Sequence, residues 1–149
     1  MALIARGTSF IGYKANNPQI QRIIRDPYSS VMLIDVREPH ETSAGTIPTA
    51  FTLPLSSNPD ALLLQPDEFA ARFGFAKPPI TKELVFYCKA GVRSSAAAQI
   101  AKQGGYEKVG EYRGSWLDWQ RKGGTTSKGE HAPHRKELGD GWEKVGGAD

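Results

Sequence analysis

The chain has 149 residues, 39% of them hydrophobic, and 19 Lys and Arg against 16 Asp and Glu give a net charge of +3 at pH 7. This size predicts one domain with a modest core, and so small a charge without a block of basic residues gives no reason to expect a nucleic-acid partner. The single cysteine, Cys88, excludes an intrachain disulfide and a cysteine-based metal cluster, and no segment reaches the roughly 18 apolar residues of a membrane span.

The amino-terminal 25 residues carry four basic side chains and no acidic one: Arg6, Lys14, Arg22 and Arg25. Two interpretations stay open. The segment is typical of the remnant of an organellar transit peptide, which would place the protein in the mitochondrion. Alternatively, it contains a helix with a basic face, because Arg22 and Arg25 fall within a helical pattern, and the protein would then be cytoplasmic.

Alternation of apolar runs and helical patterns defines the predicted elements. Asn16 caps the first helix and Pro18 lies in its first turn, while Gly74 closes the second. Residues 56–66 are predicted to form a connection with a helical turn. Strands are predicted at 10–13, 31–35, 49–53, 84–87 and 107–112, and helices between 16 and 26 and over 66–73, 94–103 and 115–122.

This alternation predicts an α/β fold with a central, mostly parallel sheet covered by helices on both faces. The strand at 84–87 is apolar throughout and is predicted to be central. In the last helix, Trp116, Leu117 and Trp119 are predicted to face inward. From residue 123 onward the chain is polar and lacks periodicity, which predicts a flexible tail. We interpret His131 and His134 in that tail as solvated residues rather than metal ligands.

The most informative segment begins where an apolar run ends on Cys88. A short loop follows, and a helical pattern starts at once, so backbone N–H groups and a helix N-terminus converge near the sulfur. Nearby cations and the helix dipole favour thiolate over thiol. Alternatively, Cys88 is a buried structural cysteine. The predicted substrate-binding residues follow it directly: Lys89, Ala90, Gly91, Val92, Arg93 and Ser94.

Four segments follow one another in the chain: Asp35-Val-Arg37-Glu38-Pro39-His-Glu41, Gly45-Thr-Ile47-Pro48-Thr-Ala50, Cys88-Lys-Ala-Gly-Val-Arg93-Ser and Gly114-Ser-Trp-Leu-Asp-Trp119. In this order they resemble the rhodanese domain. A further set, Asn58-Pro-Asp-Ala, Pro66, Glu68-Phe69, Lys82-Glu-Leu84 and Phe86-Tyr-Cys88, is similar to the small eukaryotic single-domain thiosulfate sulfurtransferases of that family. The resemblance implies one rhodanese-like domain over about residues 8–122, followed by the tail at 123–149. It also implies sulfane-sulfur transfer through a Cys88 persulfide, without a metal or an organic cofactor.

The length of the Cys88 loop separates the sulfur chemistry from the phosphorus chemistry of this fold. Four residues lie between Cys88 and Arg93, whereas related phosphatases and arsenate reductases have five, in a wider ring that fits a tetrahedral phosphate. The spacing therefore favours sulfur transfer, and the resemblance implies a donor such as thiosulfate and an acceptor such as cyanide in vitro, a small thiol or a protein thiol. A non-catalytic binding module and, less favoured by loop length, a phosphatase or arsenate reductase are the alternatives.

The residues around the loop have separate expected roles. Lys89 and Arg93 attract the sulfonate of the donor, and Arg93 also braces the loop by bonding backbone carbonyls. Ser94 and Ser95 either cap the helix or contact the sulfur. Asp35 and Arg37 match the family's Asp-x-Arg and are expected to form a structural ion pair.

Two glutamates and one motif complete the predictions. Glu38 and Glu41 are expected to be surface or loop-bracing charges rather than acids. Many family members have Gly-His-Ile-Pro-Gly-Ala where this chain has Thr46 and Thr49. We expect activity to survive the missing histidine, because the sulfur chemistry needs no general base once the thiolate has formed.

Overall fold

The structure is a computed structural model that describes residues 12–128. It contains a sheet, surrounding helices and a 3₁₀ turn at Ala61–Leu63. The strands are β1 (Tyr13–Ala15), β2 (Val31–Asp35), β3 (Phe51–Thr52), β4 (Glu83–Tyr87) and β5 (Val109–Tyr112). The helices are α1 (Asn17–Arg25), α2 (Pro39–Thr42), α3 (Pro66–Phe73), α4 (Val92–Gln103) and α5 (Ser115–Arg121).

The sheet confirms the predicted α/β architecture. Its strand order is β1-β5-β4-β2-β3, and all neighbouring strands are parallel, with β4 in the centre. The chain leaves β2 towards β3 on one side and leaves β4 towards β5 on the other. In parallel sheets, ligands bind outside the carboxyl ends of the strands where the order reverses in this way. Asp35 ends β2, and Cys88 follows β4 at the same edge.

Two hydrophobic clusters lie on opposite faces of the sheet, because successive strand residues point to opposite sides. In β4, Phe86 belongs to the cluster that packs against α3 and α4, which contribute Phe69 and Ala98. Its neighbour Val85 belongs to the cluster that contains residues of α1 and α5. Both faces are therefore covered by helices, as predicted, and strands with two buried faces are apolar throughout for this reason.

The predicted helix signals at α1 and α3 act as expected. The Asn16 side chain accepts a hydrogen bond from the Gln19 amide at 3.0 Å and caps α1, and the Gln19 side chain reaches back to the Asn16 amide. Gly74 closes α3 in the left-handed conformation, with φ 82°. Arg22 and Arg25, two of the four basic residues near the amino terminus, lie in the last turn of α1. The helix dipole stabilises positive charge at this end of a helix.

Several predicted boundaries differ from the structure. β1 begins at Tyr13 rather than residue 10, and residues 10 and 11 lie outside the described part of the chain. β3 and β5 are shorter than predicted, and α4 starts at Val92 rather than Ser94. The short helix α2 was not predicted, because its four residues are too few to show helical periodicity.

The inward orientation predicted for Leu117 is wrong. Trp116 and Trp119 are buried, as expected, but Leu117 is 43% exposed. A helix of seven residues buries one stripe, and here the stripe contains Ser115, Trp116, Asp118 and Trp119. Leu117 therefore lies on the exposed side of the helix, although its backbone amide bonds the Lys89 carbonyl at 3.1 Å.

The described part of the predicted tail, residues 123–128, packs against the domain. Thr46 and Ser127 form an antiparallel bridge, and the Trp119 indole donates to the Thr125 carbonyl at 2.6 Å. Residues 129–149, with His131 and His134, lie outside the described residues. Between residues 12 and 128, no helix is both long enough and apolar enough to cross a membrane.

Candidate active site

The sulfur of Cys88 lies at the carboxyl end of β4, inside a ring of hydrogen-bond donors. The amides of Gly91 and Ser94 lie 3.1 and 3.4 Å from Sγ, and the Ser94 hydroxyl lies 3.5 Å away. The Ala90 amide also interacts with the sulfur. Cys88 is only 1% exposed, so these groups rather than water surround the sulfur.

Gly91 allows the loop to close this tightly. Its φ is 103°, and a Cβ atom placed there would lie 2.6 Å from the Arg113 carbonyl oxygen. Both the left-handed conformation and the close backbone approach require glycine. Gly91 is also the N-cap of α4, but it has no side chain with which to bond the first-turn amides. The Cys88 sulfur accepts the Ser94 amide instead and takes the place of a capping side chain.

The loop carbonyls point away from the sulfur because α5 holds them. The amides of Trp116 and Leu117, at the start of α5, donate to the carbonyls of Cys88 and Lys89 at 2.9 and 3.1 Å. The following loop amides therefore face the sulfur, with no carbonyl oxygen of Cys88 or Lys89 competing for the space. Donors without a nearby acceptor form a site that stabilises negative charge.

These contacts lower the pKa of Cys88. Burial raises the pKa of the thiol, but hydrogen bonds from the Ser94 hydroxyl and from the amides of Ser94, Gly91 and Ala90 outweigh it. The Ser94 hydroxyl has two acceptors within reach, because the Gly91 carbonyl lies 3.2 Å away. The hydroxyl can donate its hydrogen bond to that carbonyl while the sulfur is protonated, and it can rotate to donate to the sulfur when the thiol ionises.

Ser94 and Ser95 do not cap α4. The cap position belongs to Gly91, and Ser94 lies at the third helical position, so the contact with the sulfur is the alternative that the structure supports. The Ser95 hydroxyl donates to Glu111 at 2.5 Å. The physical reason is that the loop turns at Gly91, three residues before Ser94.

Arg93 anchors the loop to α2 through a carboxylate. Its guanidinium donates two hydrogen bonds to Glu41, at 2.7 and 2.9 Å, in the bidentate geometry that suits arginine. The Arg93 contacts resolved here reach this carboxylate, not the backbone carbonyls we predicted. Hydrogen bonding by Arg93 is the main cause that lowers the pKa of Glu41 to about 2, against an opposing effect of burial. Glu41 also accepts the Glu38 amide at 3.0 Å, and this bond fixes α2.

Asp35 and Arg37 form the predicted ion pair at 2.8 Å, with side chains 0% and 3% exposed. Arg37 also donates to the Gly45 carbonyl at 2.8 Å, and its guanidinium lies 4.6 Å from the centre of the Trp116 ring. The pair therefore joins β2, the segment at Gly45 and the start of α5. Burial with several partners on each charge is the condition under which an ion pair can fix a structure.

The remaining predicted binding residues lie on the outer side of the loop. Lys89 and Ala90 are exposed, and Val92 is 80% exposed. Lys89 is thus placed to meet an anion arriving from solvent, whereas the Arg93 charge is already compensated by Glu41.

A pocket of about 310 Å³ lies at the opposite edge of the sheet, where Val31 and Glu83 begin their strands. It lies at the far end of the strands from Cys88, and its lining includes no residue of the Cys88 loop. Among the described residues, no cluster of three or more His, Cys, Asp or Glu side chains is arranged to hold a metal ion.

Thr49, which replaces a glycine of the resembled motif, has φ 73°. This left-handed conformation is unusual for a β-branched residue. The neighbouring departure, Thr46, is buried and bonds Ser127 through its backbone. Neither difference alters a hydrogen-bond donor that contacts the Cys88 sulfur.

Two contacts at the site were not recognised from the sequence. Glu41 was expected to be a surface or loop-bracing charge, and its bonds to Arg93 support loop bracing, but no spacing rule identifies Arg93, 52 residues away, as its partner. Ser115 was not assigned at all. Its hydroxyl accepts the Cys88 amide at 3.2 Å, and the available signal was its place directly before the two tryptophans.

Comparison with known proteins agrees with this geometry. A family model described as the rhodanese-like domain matches residues 18–122. The mitochondrial thiosulfate sulfurtransferase RDL2 of Saccharomyces cerevisiae is 43% identical over 110 residues, 74% of each chain. The thiosulfate:glutathione sulfurtransferase of the same yeast is 42% identical over 105 residues, which are 70% of this chain and 76% of that protein.

A solved structure is similar throughout the domain. The crystal structure of the S. cerevisiae single-domain sulfurtransferase RDL2 has a TM-score of 0.75 and 39% sequence identity. The similarity covers 82% of this chain and 99% of that one. The arrangement of the sheet and helices is therefore shared over nearly the whole of that solved chain.

Proposed function

Because the chain belongs to the rhodanese-like domain family, we propose that it is a sulfurtransferase that moves sulfane sulfur from thiosulfate to a thiol through a persulfide on Cys88. The observation that carries this proposal is the buried sulfur with its ring of amide and hydroxyl donors. Thiosulfate as donor and glutathione, a thiol, as acceptor are named for the yeast relatives.

In the first step, the Cys88 thiolate attacks the outer sulfur of thiosulfate. A bond forms between the two sulfur atoms, the S–S bond of thiosulfate breaks, and sulfite leaves with the electron pair. The total charge of three negative units is conserved, since the persulfide carries one and sulfite carries two. The loop amides, already oriented, then stabilise the terminal sulfur of the persulfide.

In the second step, an acceptor thiolate attacks the terminal sulfur of the persulfide. The acceptor becomes a persulfide, and Cys88 leaves as the thiolate that begins the next cycle. Cyanide would accept the same sulfur as thiocyanate. No proton transfer is needed in either step once the thiolates are formed, which is why the missing histidine at Thr46 does not stop the reaction. A protein thiol is a further candidate acceptor with the same reacting atom.

The cationic residues around the loop have different roles towards the anionic donor. Lys89 is exposed at the loop and attracts thiosulfate from solvent. Arg93, paired with Glu41, holds the loop in the shape that presents its amides. Asp35 and Arg37 form a buried ion pair that stabilises the same edge of the sheet.

Mass spectrometry of the intact protein tests the proposal. After incubation with thiosulfate, the protein should gain the mass of one sulfur atom, and cyanide should remove it and yield thiocyanate. Cys88→Ser should do neither. An unchanged mass and no thiocyanate from the wild-type protein would refute the function and favour a non-catalytic module. Hydrolysis of an aryl phosphate would instead identify the phosphatase alternative.

For the compartment, we propose the mitochondrion. The yeast relative RDL2 is named mitochondrial, as is a putative thiosulfate sulfurtransferase of Schizosaccharomyces pombe. Cell fractionation with an antibody against the full chain tests this assignment, and recovery in the cytosolic fraction would refute it.

A further inference from the structure

The hydrogen-bond ladder between β4 and β5 is interrupted at Cys88. The amide of Leu84 donates directly to the Lys108 carbonyl at 2.9 Å. Parallel strands repeat such bonds every second residue, and the register pairs Phe86 with Glu111. Continued by two steps, the ladder would place the Cys88 amide on the Tyr112 carbonyl.

The Ser115 hydroxyl stands between these two groups. It accepts the Cys88 amide at 3.2 Å and donates to the Tyr112 carbonyl at 2.8 Å. Two hydrogen bonds in series therefore join the strands where the ladder would use one. The insertion sets Cys88 apart from β5 at the residue where the chain must turn away from the sheet and begin its loop.

Ser115 is held in this position at a conformational cost. It is completely buried, and its φ is 58°, in the left-handed region that favours glycine. The next residue, Trp116, donates its amide to the Cys88 carbonyl. Ser115 and Trp116 thus bond the amide and the carbonyl of the nucleophile's own backbone. Strained residues with such contacts occur where geometry serves function.

We propose that Ser115 is a positioning residue, whose inserted hydroxyl spaces Cys88 from β5 so that the sulfur meets the loop amides. This inference rests on the proposed sulfur transfer. Ser115 acts through the backbone of Cys88, because its single hydroxyl proton is directed to the Tyr112 carbonyl at 2.8 Å, whereas Sγ lies 3.9 Å away. Without the hydroxyl, the amide and the Tyr112 carbonyl either lose their partners or close on one another, and both outcomes displace the sulfur.

Two substitutions distinguish the role of the Ser115 hydroxyl from the effect of its strained backbone conformation. Ser115→Ala removes the hydroxyl and keeps the strain, whereas Ser115→Gly removes the hydroxyl and relieves it. Glycine also keeps the test usable if the alanine variant fails to fold. The matched control is Ser29→Ala, because Ser29 is also buried and accepts a strand amide, that of Val31 at 3.1 Å, at the opposite edge of the sheet.

Two readouts follow the sulfur itself. Ultraviolet titration of the thiolate is specific, because Cys88 is the only cysteine, and mass spectrometry follows a single turnover with thiosulfate. In both Ser115 variants, the pKa of Cys88 should rise by about one unit, which lowers the thiolate fraction at neutral pH by up to about tenfold. Persulfide formation should slow accordingly, and Ser29→Ala should match the wild type in both readouts.

The outcomes distinguish the inference from the proposed function. If Ser115→Gly has the wild-type pKa of Cys88 and forms the persulfide at the wild-type rate, the positioning role is overturned, whether or not Ser115→Ala is impaired. If the wild-type protein forms no persulfide, the proposed function fails, but the thiolate titration of the variants still tests whether Ser115 positions the sulfur.

Discussion

Glu41→Gln removes the charge that anchors Arg93 and thereby tests how firmly the loop is fixed. A carboxyl whose pKa falls from 4.5 to about 2 would stabilise the folded state by about 3 kcal/mol at neutral pH without screening. The Arg93 and Glu41 side chains are 33% and 18% exposed, so solvent screening reduces the expected loss to about 1–2 kcal/mol.

The pH dependence has a definite sign. Because the pKa of Glu41 is lower in the folded state, its contribution is complete above 4.5, the ordinary value, and declines as the pH falls towards about 2. Urea unfolding of the wild type and Glu41→Gln should therefore differ at neutral pH and converge through this window. The control is Asp60→Asn, which breaks an ion pair with Arg72 whose side chains are 43% and 55% exposed, and should cost less than about 0.5 kcal/mol.

Equal stability of Glu41→Gln and the wild type at neutral pH would refute this reasoning. A difference that stays constant down to low pH would also refute it, because it would arise from something other than the carboxylate charge.

Three further substitutions have defined outcomes. Gly91→Ala should abolish persulfide formation and lower the free energy of unfolding by about 1–3 kcal/mol, since the added methyl group meets the Arg113 carbonyl; a fully active variant would contradict this. Thr49→Gly should raise the free energy of unfolding, measured with urea, by about 0.5–1 kcal/mol, because it relieves a positive φ. A lower free energy of unfolding would show that the contacts of the threonine side chain outweigh the strain. Lys89→Ala should raise the KM for thiosulfate about threefold with little change in kcat, and less so at high salt; an unchanged KM would remove Lys89 from the site.

The fold could be predicted from the sequence where burial determines the pattern of hydrophobic residues. The run Val31–Asp35 matches β2 at both ends, because a strand buried on both faces must be apolar between turn signals. Pro66 and Gly74 likewise bound α3 as predicted. Leu117 was misplaced because hydrophobicity alone does not say which side of a short helix meets the core.

The site was accessible only in part. Cys88 and its loop are contiguous in the chain, so their convergence follows from a strand-loop-helix turn. The pairing of Arg93 with Glu41 and the contact of Ser115 with Cys88 join residues 52 and 27 positions apart. Such contacts depend on tertiary packing, and the positive φ of Ser115 is not the conformation that a serine suggests.

Titration of the Cys88 thiolate is the most direct test of the central claim, that the loop donors hold this sulfur as an anion. The absorbance of the wild-type protein, corrected by that of Cys88→Ser, should show a pKa below the ordinary thiol value, because the Ser94 hydroxyl and the loop amides outweigh burial. A thiol that titrates at or above the ordinary value would contradict the account.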